Sequence, residues 1–282
     1  MPQLASSPRS ETAADPGPAP AEVQVPRLAG VPRDRRRAIV VGASSGMGAA
    51  LVRQLAREGY RVAALARRGA ELAELQRACA EDCARTGGAV LVRVHDVLRA
   101  EQAAGLFEQL VRELGGLDLF VYAVGIMPKI EPDEYDTEKD LDIVNANVSG
   151  LIAWTNPAAT LFRTQRGGTI VGISSIAGDR GRKGNPAYCT SKAATNTYLE
   201  ALRNRLSEVG VHVCTIKPGY VDTAMTRGMD GLFWVISAEE AARQILAAAR
   251  NRVNTRYVPL RWQAVGTVLK LIPSFVFRKL SF

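Results

Sequence analysis

Seven short apolar runs recur between residues 38 and 259, and the stretches between them carry helical patterning. The runs cover 38–41, 61–66, 90–95, 117–121, 168–173, 212–216 and a last one near 256–259. Strands that alternate with helices pair in parallel, because each crossover helix carries the chain back to the same end of the sheet. Parallel strands are buried on both faces, which explains why the runs are continuously apolar rather than alternating. The expected architecture is therefore α/β: one doubly wound parallel sheet of about seven strands with helices on both faces. Helices are expected over 46–58, stopping at Gly59; over 141–162; and over 186–208, with Asn185 as N-cap and Pro186 at the first helical position. Ser237-Ala-Glu-Glu240 has the spacing of a capping box.

The rest of the chain divides around this unit. Residues 1–34 are rich in Pro, Ala and Ser and lack hydrophobic periodicity, so a disordered leader is expected. It has no continuous apolar stretch of the kind a secretory signal needs. Residues 35–260 would form a single catalytic domain, and 261–282 a basic amphipathic tail. The composition, 47% hydrophobic and 23% charged, provides for one large core. The 4 cysteines form no CxxC pair and there are only 2 histidines, so no metal site is expected and a reducing, cytoplasmic setting fits. Cys79 and Cys83 read as packing residues on one helix, and His95 and His212 as structural.

After the first run comes Gly42-Ala-Ser44-Ser45-Gly46-Met47-Gly48. A glycine loop between a strand and a helix lets backbone N–H groups approach a pyrophosphate, and the helix N-terminus favours the negative charge. The spacing is GxxxGxG rather than GxGxxG, and a ligand-free glycine turn would match it too. The second run ends in Ala66-Arg67-Arg68, where an acid would hold the ribose 2′-hydroxyl of NAD. A basic pair suits a 2′-phosphate instead and favours NADP(H) over NAD(H), with Arg67 the first candidate and Arg68 the second. Both would equally suit a solvent-facing helix start. Asp96, at the end of the third run beside Val97, could accept from an adenine amino group.

Tyr188-Cys-Thr-Ser-Lys192 places a phenol and an ammonium four residues apart, on one face of a helix. A nearby cation favours the phenolate and so suits the tyrosine to proton transfer. Ser175, 13 residues before Tyr188, closes a buried strand where a hydroxyl would point into the ligand crevice. Asn147 sits inside a long helix, a poor place for asparagine unless its amide is engaged.

Together these residues resemble the short-chain dehydrogenase/reductase family from about residue 36 to residue 225. The resemblance rests on Gly42–Gly48, Asp96-Val97, Asn147, Ser175, Tyr188, Lys192 and Pro218-Gly219-Tyr-Val221-Asp-Thr223, in the family's order and spacing. It implies a Rossmann-type fold and an NAD(P)-dependent exchange of hydride between a ketone and a secondary alcohol. It further implies that Tyr188 is the general acid/base and that Lys192 lowers its pKa and holds the nicotinamide ribose. Ser175 would bind the reacting oxygen, and Asn147 would hold a relay water. Pro218, Gly219, Val221 and Thr223 would shape the nicotinamide site, and assembly as a homo-oligomer would be expected. One element departs: the family's Asn-Asn-Ala-Gly is here Tyr122-Ala123-Val124-Gly125, which keeps the glycine but loses the asparagine contacts.

The net charge of +8 is concentrated at one end. From Arg250 onward there are seven Lys/Arg and no acid. The segment from Trp262 to Phe277 is apolar but broken by Lys270 and Pro273, which is too short for a membrane span. Aromatics flanked by cations suit a helix lying on an anionic membrane surface, such as the inner face of a membrane. Packing on the sheet or against a subunit would use the same residues. Without a nucleic-acid module, nucleic acid is not an expected partner. The tail, the 178–183 loop and Ala123–Ile126 resemble the decaprenylphosphoryl-2-keto-ribose reductases. That likeness implies a lipid-linked substrate such as a polyprenylphosphoryl keto-sugar. A soluble carbonyl or steroid-like reductase without membrane contact is the alternative.

Overall fold

The computed structural model describes residues 36–280; the 1–34 leader lies outside them. Seven parallel strands form one sheet: β1 (Arg37–Val41), β2 (Arg61–Ala66), β3 (Ala89–Val94), β4 (Leu119–Tyr122), β5 (Thr169–Ile173), β6 (His212–Pro218) and β7 (Thr255–Val258). Their order is β3-β2-β1-β4-β5-β6-β7. The order reverses between β1 and β4, and a crevice for a ligand opens at the carboxyl ends of the strands at such a switch point.

Alternate residues of each strand feed opposite layers. Ala38 and Val40 of β1 join the layer under α1 (Gly46–Arg57), where Leu51, Leu55 and Ile245 meet. Ile39 and Val41 join the other layer, with Phe107, Phe120, Trp154 and Leu199. Every one of these is fully buried or nearly so, which accounts for apolar runs on both faces.

The helix ends follow their capping chemistry. The Asn185 side chain accepts from the Tyr188 amide at 2.9 Å and opens α7 (Pro186–Leu206). The Ser237 hydroxyl accepts from the Glu240 amide at 3.1 Å, but the Glu240 carboxylate turns to Arg243 and Gln244. Only half of the expected capping box therefore forms. Cys79 and Cys83 do not share one helix: a break at Cys79 separates α2 (Gly69–Ala78) from α3 (Ala80–Thr86).

The single helix expected over 141–162 is interrupted. α4 (Ala100–Leu114) precedes it; α5 (Thr137–Val144) then leads into a π turn, Asn145–Ser149, and only after that comes α6 (Gly150–Gln165). A π turn inserts a residue into the helical ladder and rotates the side chains that follow. It presents Asn147 inward and leaves the Ala146 carbonyl to accept from the Tyr122 hydroxyl at 2.6 Å. A Cβ at Gly150 would overlap that hydroxyl, so the departure at Tyr122 is accommodated by a glycine opposite.

The chain closes with α8 (Ala238–Arg250), β7, α9 (Trp262–Leu271) and α10 (Ser274–Phe277). α9 packs back onto the sheet. Trp262 is 4% exposed and lies where any side chain at Gly219 would stand. Gly266 lets Tyr257 and Asp179 approach, and the buried Asp179 carboxylate pairs with Lys217 at 2.6 Å and Lys270 at 3.2 Å. The Tyr257 hydroxyl donates to Asp179 at 2.6 Å.

His212, at the start of β6, is buried, and its Nε2 has no hydrogen-bond partner among the described residues. Burial, with help from Arg252, pulls its pKa from 6.5 to about 4. The unfolded chain takes up a proton in this window and the folded one does not, so stability is full above pH 6.5 and falls as pH drops toward 4. Urea midpoints measured across that window should decline, and His212→Asn should flatten the decline.

Candidate active site

The glycine loop sits at the switch point. Gly42 has φ +93°, and a Cβ there would lie 2.7 Å from the Ala123 carbonyl carbon. A Cβ at Gly48 would overlap the Gly42 carbonyl oxygen, so the loop can fold over α1 only with glycine at both positions. Ser45 is the N-cap of α1, yet its side chain does not cap the helix. The first amides of α1 are thus left to a ligand, as phosphate binding at a helix N-terminus requires. Across the opening, Thr223 reaches to within 3.0 Å of where a Gly46 Cβ would be. The Pro218–Thr223 segment and the glycine loop therefore enclose one space, and Met47 lines its inner side.

At the end of β2 the two arginines diverge. Arg68 donates to the hydroxyls of Ser44 at 2.8 Å and Ser45 at 2.7 Å and pairs with Glu71 at 3.4 Å. Arg67 is exposed and makes no side-chain hydrogen bond or ion pair among the described residues. Arg68 is thus the guanidinium in contact with the glycine loop. Asp96 accepts from the Leu98 amide at 3.1 Å, a local turn that leaves its second oxygen available, while Val97 packs against the Gly150 position.

Ser175, Tyr188 and Lys192 converge beneath this space. Burial pushes the Tyr188 phenol up, and a hydrogen bond with Ser175 and the charge of Arg182 oppose that. Lys192 is 3% exposed; its ammonium donates to the Ile173 carbonyl at 3.0 Å and lies 5.7 Å from the centre of the Tyr188 ring. Burial alone lowers its pKa to about 8. The groups that favour the Tyr188 phenolate here are Ser175 and Arg182; Lys192 sits over the ring rather than at the hydroxyl. Gly125 faces the Lys192 ammonium, 3.3 Å from where its Cβ would be.

The Asn147 side chain is anchored by three hydrogen bonds. Its amide accepts from Ile126 N at 2.8 Å and donates to Ile126 O at 3.1 Å and to the Ser191 hydroxyl at 3.0 Å. It fixes the segment after β4 against α7, so it positions the pocket wall. Tyr122 was not legible as a site residue, and only its contact with the π turn reveals that it supports Asn147.

A cavity of about 390 Å³ opens from Ser175 and Tyr188. Its walls include Met127, Met225, Met229, Phe233, Trp262 and Leu269. Phe233 stacks on Trp262 at 4.9 Å, with Tyr220 edge-on at 5.3 Å from Trp262. No group of three His, Cys, Asp or Glu residues able to hold a metal occurs among the described residues.

The short chain dehydrogenase family model matches residues 36–230. The chain belongs to the short-chain dehydrogenase/reductase family. An uncharacterised oxidoreductase of Myxococcus xanthus is 37% identical over 192 residues, 68% of this chain and 74% of the relative. One from Staphylococcus saprophyticus is 31% identical over 193 residues, 68% and 81% of the two chains. Among solved structures, a short-chain type dehydrogenase/reductase from Mycobacterium marinum has a TM-score of 0.70 at 28% identity, covering 78% of this chain and 91% of that one. A putative short-chain alcohol dehydrogenase from Sinorhizobium meliloti has a TM-score of 0.63 at 30% identity, covering 68% and 75%. As a short-chain dehydrogenase/reductase the protein is an oxidoreductase that uses a nicotinamide cofactor, and its glycine cradle fits the pyrophosphate of such a cofactor. The segment after residue 230, which carries α8, β7, α9 and α10, lies beyond the family match.

Proposed function

We propose that this short-chain dehydrogenase/reductase interconverts a lipophilic ketone and its secondary alcohol using NADP(H), at a membrane surface. The observation that carries the reading is the apolar cavity ending at Tyr188 and Ser175 beside the glycine cradle. A bound nicotinamide supplies or takes the hydride at the substrate carbon. In the reductive direction Ser175 donates a hydrogen bond to the carbonyl oxygen and Tyr188 passes it the phenolic proton. Lys192, buried over the ring, would orient the ribose, and Ser175 and Arg182 favour the phenolate that remains. Asn147, through Ile126, and Gly125 hold the opposite wall. Asp96 and Val97 bound the adenine end.

The preference for NADP(H) rests on Arg68, which stands at the loop with Ser44 and Ser45 and would take the 2′-phosphate. Titration with NADPH and NADH, read by nicotinamide fluorescence, checks this. NADPH should bind at least about 10-fold tighter, and Arg68→Asp should remove the difference. Arg67→Asp should have the smaller effect; equal binding of both nucleotides by the native protein would end the NADP assignment.

Membrane contact rests on the tail. While one face of α9 packs on the sheet, Val268, Leu271 (77% exposed) and Phe275 (64%) point outward, flanked by Lys270, Arg278 and Lys279. Exposed Met225, Met229 and Phe233 continue this apolar surface to the cavity mouth, so a lipid could pass from the bilayer to Tyr188. No helix among the described residues is long and apolar enough to cross a membrane. A cytoplasmic protein that docks on the inner membrane face, takes a lipid-linked substrate and assembles as a homo-oligomer fits these features; a polyprenylphosphoryl keto-sugar is the most specific candidate. Co-sedimentation with anionic vesicles should be strong, salt-sensitive and weakened by Leu271→Glu with Phe275→Glu. Failure to sediment would favour the soluble carbonyl or steroid-like reductase.

A further inference from the structure

A second cavity, of about 510 Å³, adjoins the catalytic one, and Arg180 and Arg182 line both. Its walls come from the loop after β5 on one side and from α10 and the residues after it on the other. Four cations line it, Arg180, Arg182, Lys183 and Arg278, and no acid does. Arg180 is committed: it donates to the carbonyls of Leu269, Lys270 and Ile272 at 3.0, 3.2 and 2.5 Å and stacks on Phe277 at 4.5 Å. That clamp ties the loop after β5 to the end of α9. Among the described residues, the side chains of Arg182, Lys183 and Arg278 make no hydrogen bond or ion pair. The hydroxyls of Thr190 and Ser274 line the same space and can donate.

We propose that this second cavity is a subsite for a phosphate ester carried by the substrate, with Arg182, Lys183 and Arg278 as its counter-cations. Three like charges converging without an acid repel one another, and a dianionic or diester phosphate removes that cost while offering acceptors to every donor present. The placement gives the substrate its shape: a reacting carbonyl at Tyr188, an apolar portion along Met225, Phe233 and Trp262, and an anionic group beyond Arg182. Arg278 and Ser274 belong to the segment after the family match, so this chain's own C-terminal addition completes the site. The proposal rests on the reading of the Tyr188 cavity as the substrate pocket.

The test uses the full chain loaded with NADPH and titrated calorimetrically with dodecyl phosphate kept below its micelle concentration, with dodecanol and with inorganic phosphate. Dodecyl phosphate should bind about 10- to 100-fold more tightly than dodecanol, and Lys183→Ala/Arg278→Ala should remove most of that ratio while leaving NADPH and dodecanol binding unchanged. If the two amphiphiles bind equally and the double variant changes nothing, the subsite is refuted and the apolar pocket stands. If neither binds the NADPH-loaded protein, the underlying pocket reading fails instead. Inorganic phosphate binding as tightly as dodecyl phosphate would make the cavity a site for free phosphate and overturn the substrate claim. A double variant that loses anionic vesicles but keeps dodecyl phosphate would assign the cations to the membrane and overturn it too.

Discussion

Replacing Tyr188 by Phe is expected to lower kcat by about 10³-fold or more, at the upper part of what a positioned general acid contributes, with NADPH affinity nearly unchanged. The asymmetry follows from the geometry. The Tyr188 hydroxyl meets Ser175 at the closed end of the cavity, whereas the pyrophosphate cradle is made by Gly42, Gly48 and the free amides of α1. Removing the hydroxyl deletes the proton donor and leaves the ring that covers Lys192. Single-turnover oxidation of NADPH by excess variant enzyme separates the two effects. A Tyr188→Phe protein that binds NADPH normally and still reduces ketone at the native rate would remove Tyr188 from the chemistry.

Asp179→Ala should cost about 3–5 kcal/mol of stability and raise KM for a lipophilic substrate. The Asp179 carboxylate is 1% exposed and pairs with Lys217, itself almost fully buried. Deleting it strands the Lys217 ammonium away from water and frees the Tyr257 hydroxyl and Lys270 together. Stranding a buried charge is more damaging than losing the attraction itself. The same carboxylate tethers α9, whose Trp262 and Leu269 form the wall of the substrate cavity. The loss should therefore appear both in the denaturation midpoint and in KM, while NADPH affinity stays close to native. A shift below about 1 kcal/mol, the range of exposed pairs, would mean that the cluster is more hydrated than its burial indicates.

The strands and their parallel order were legible because burial on both faces writes a continuous apolar run, and seven such runs became seven strands within a few residues of their expected ends. Gly42, Gly48, Ser175, Tyr188 and Lys192 were legible because their chemistry depends on spacing along the chain, and they do converge on one crevice. Other features depend on tertiary partners. The π turn at Asn147 exists because Ile126, Ser191 and Tyr122 supply contacts that no local pattern encodes. Arg67 and Arg68 are adjacent where a strand ends, and a one-residue change of direction decides which faces the loop. The tail had the composition of both a core helix and a membrane helix. Gly219 and Gly266, which leave room for Trp262 and Tyr257, decide that one face packs, while Leu271 and Phe275 stand exposed among the described residues.

Hydride transfer to a lipophilic ketone, with Tyr188 as proton donor, is tested most directly by isotope. The protein would be given NADPH deuterated at its reactive carbon together with a panel of long-chain ketones, and the alcohols analysed by mass spectrometry. One deuterium at the carbinol carbon of a product, formed by the native protein and lost with Tyr188→Phe, is the predicted result. Product alcohol without deuterium, or equal deuterium transfer by Tyr188→Phe, would contradict it.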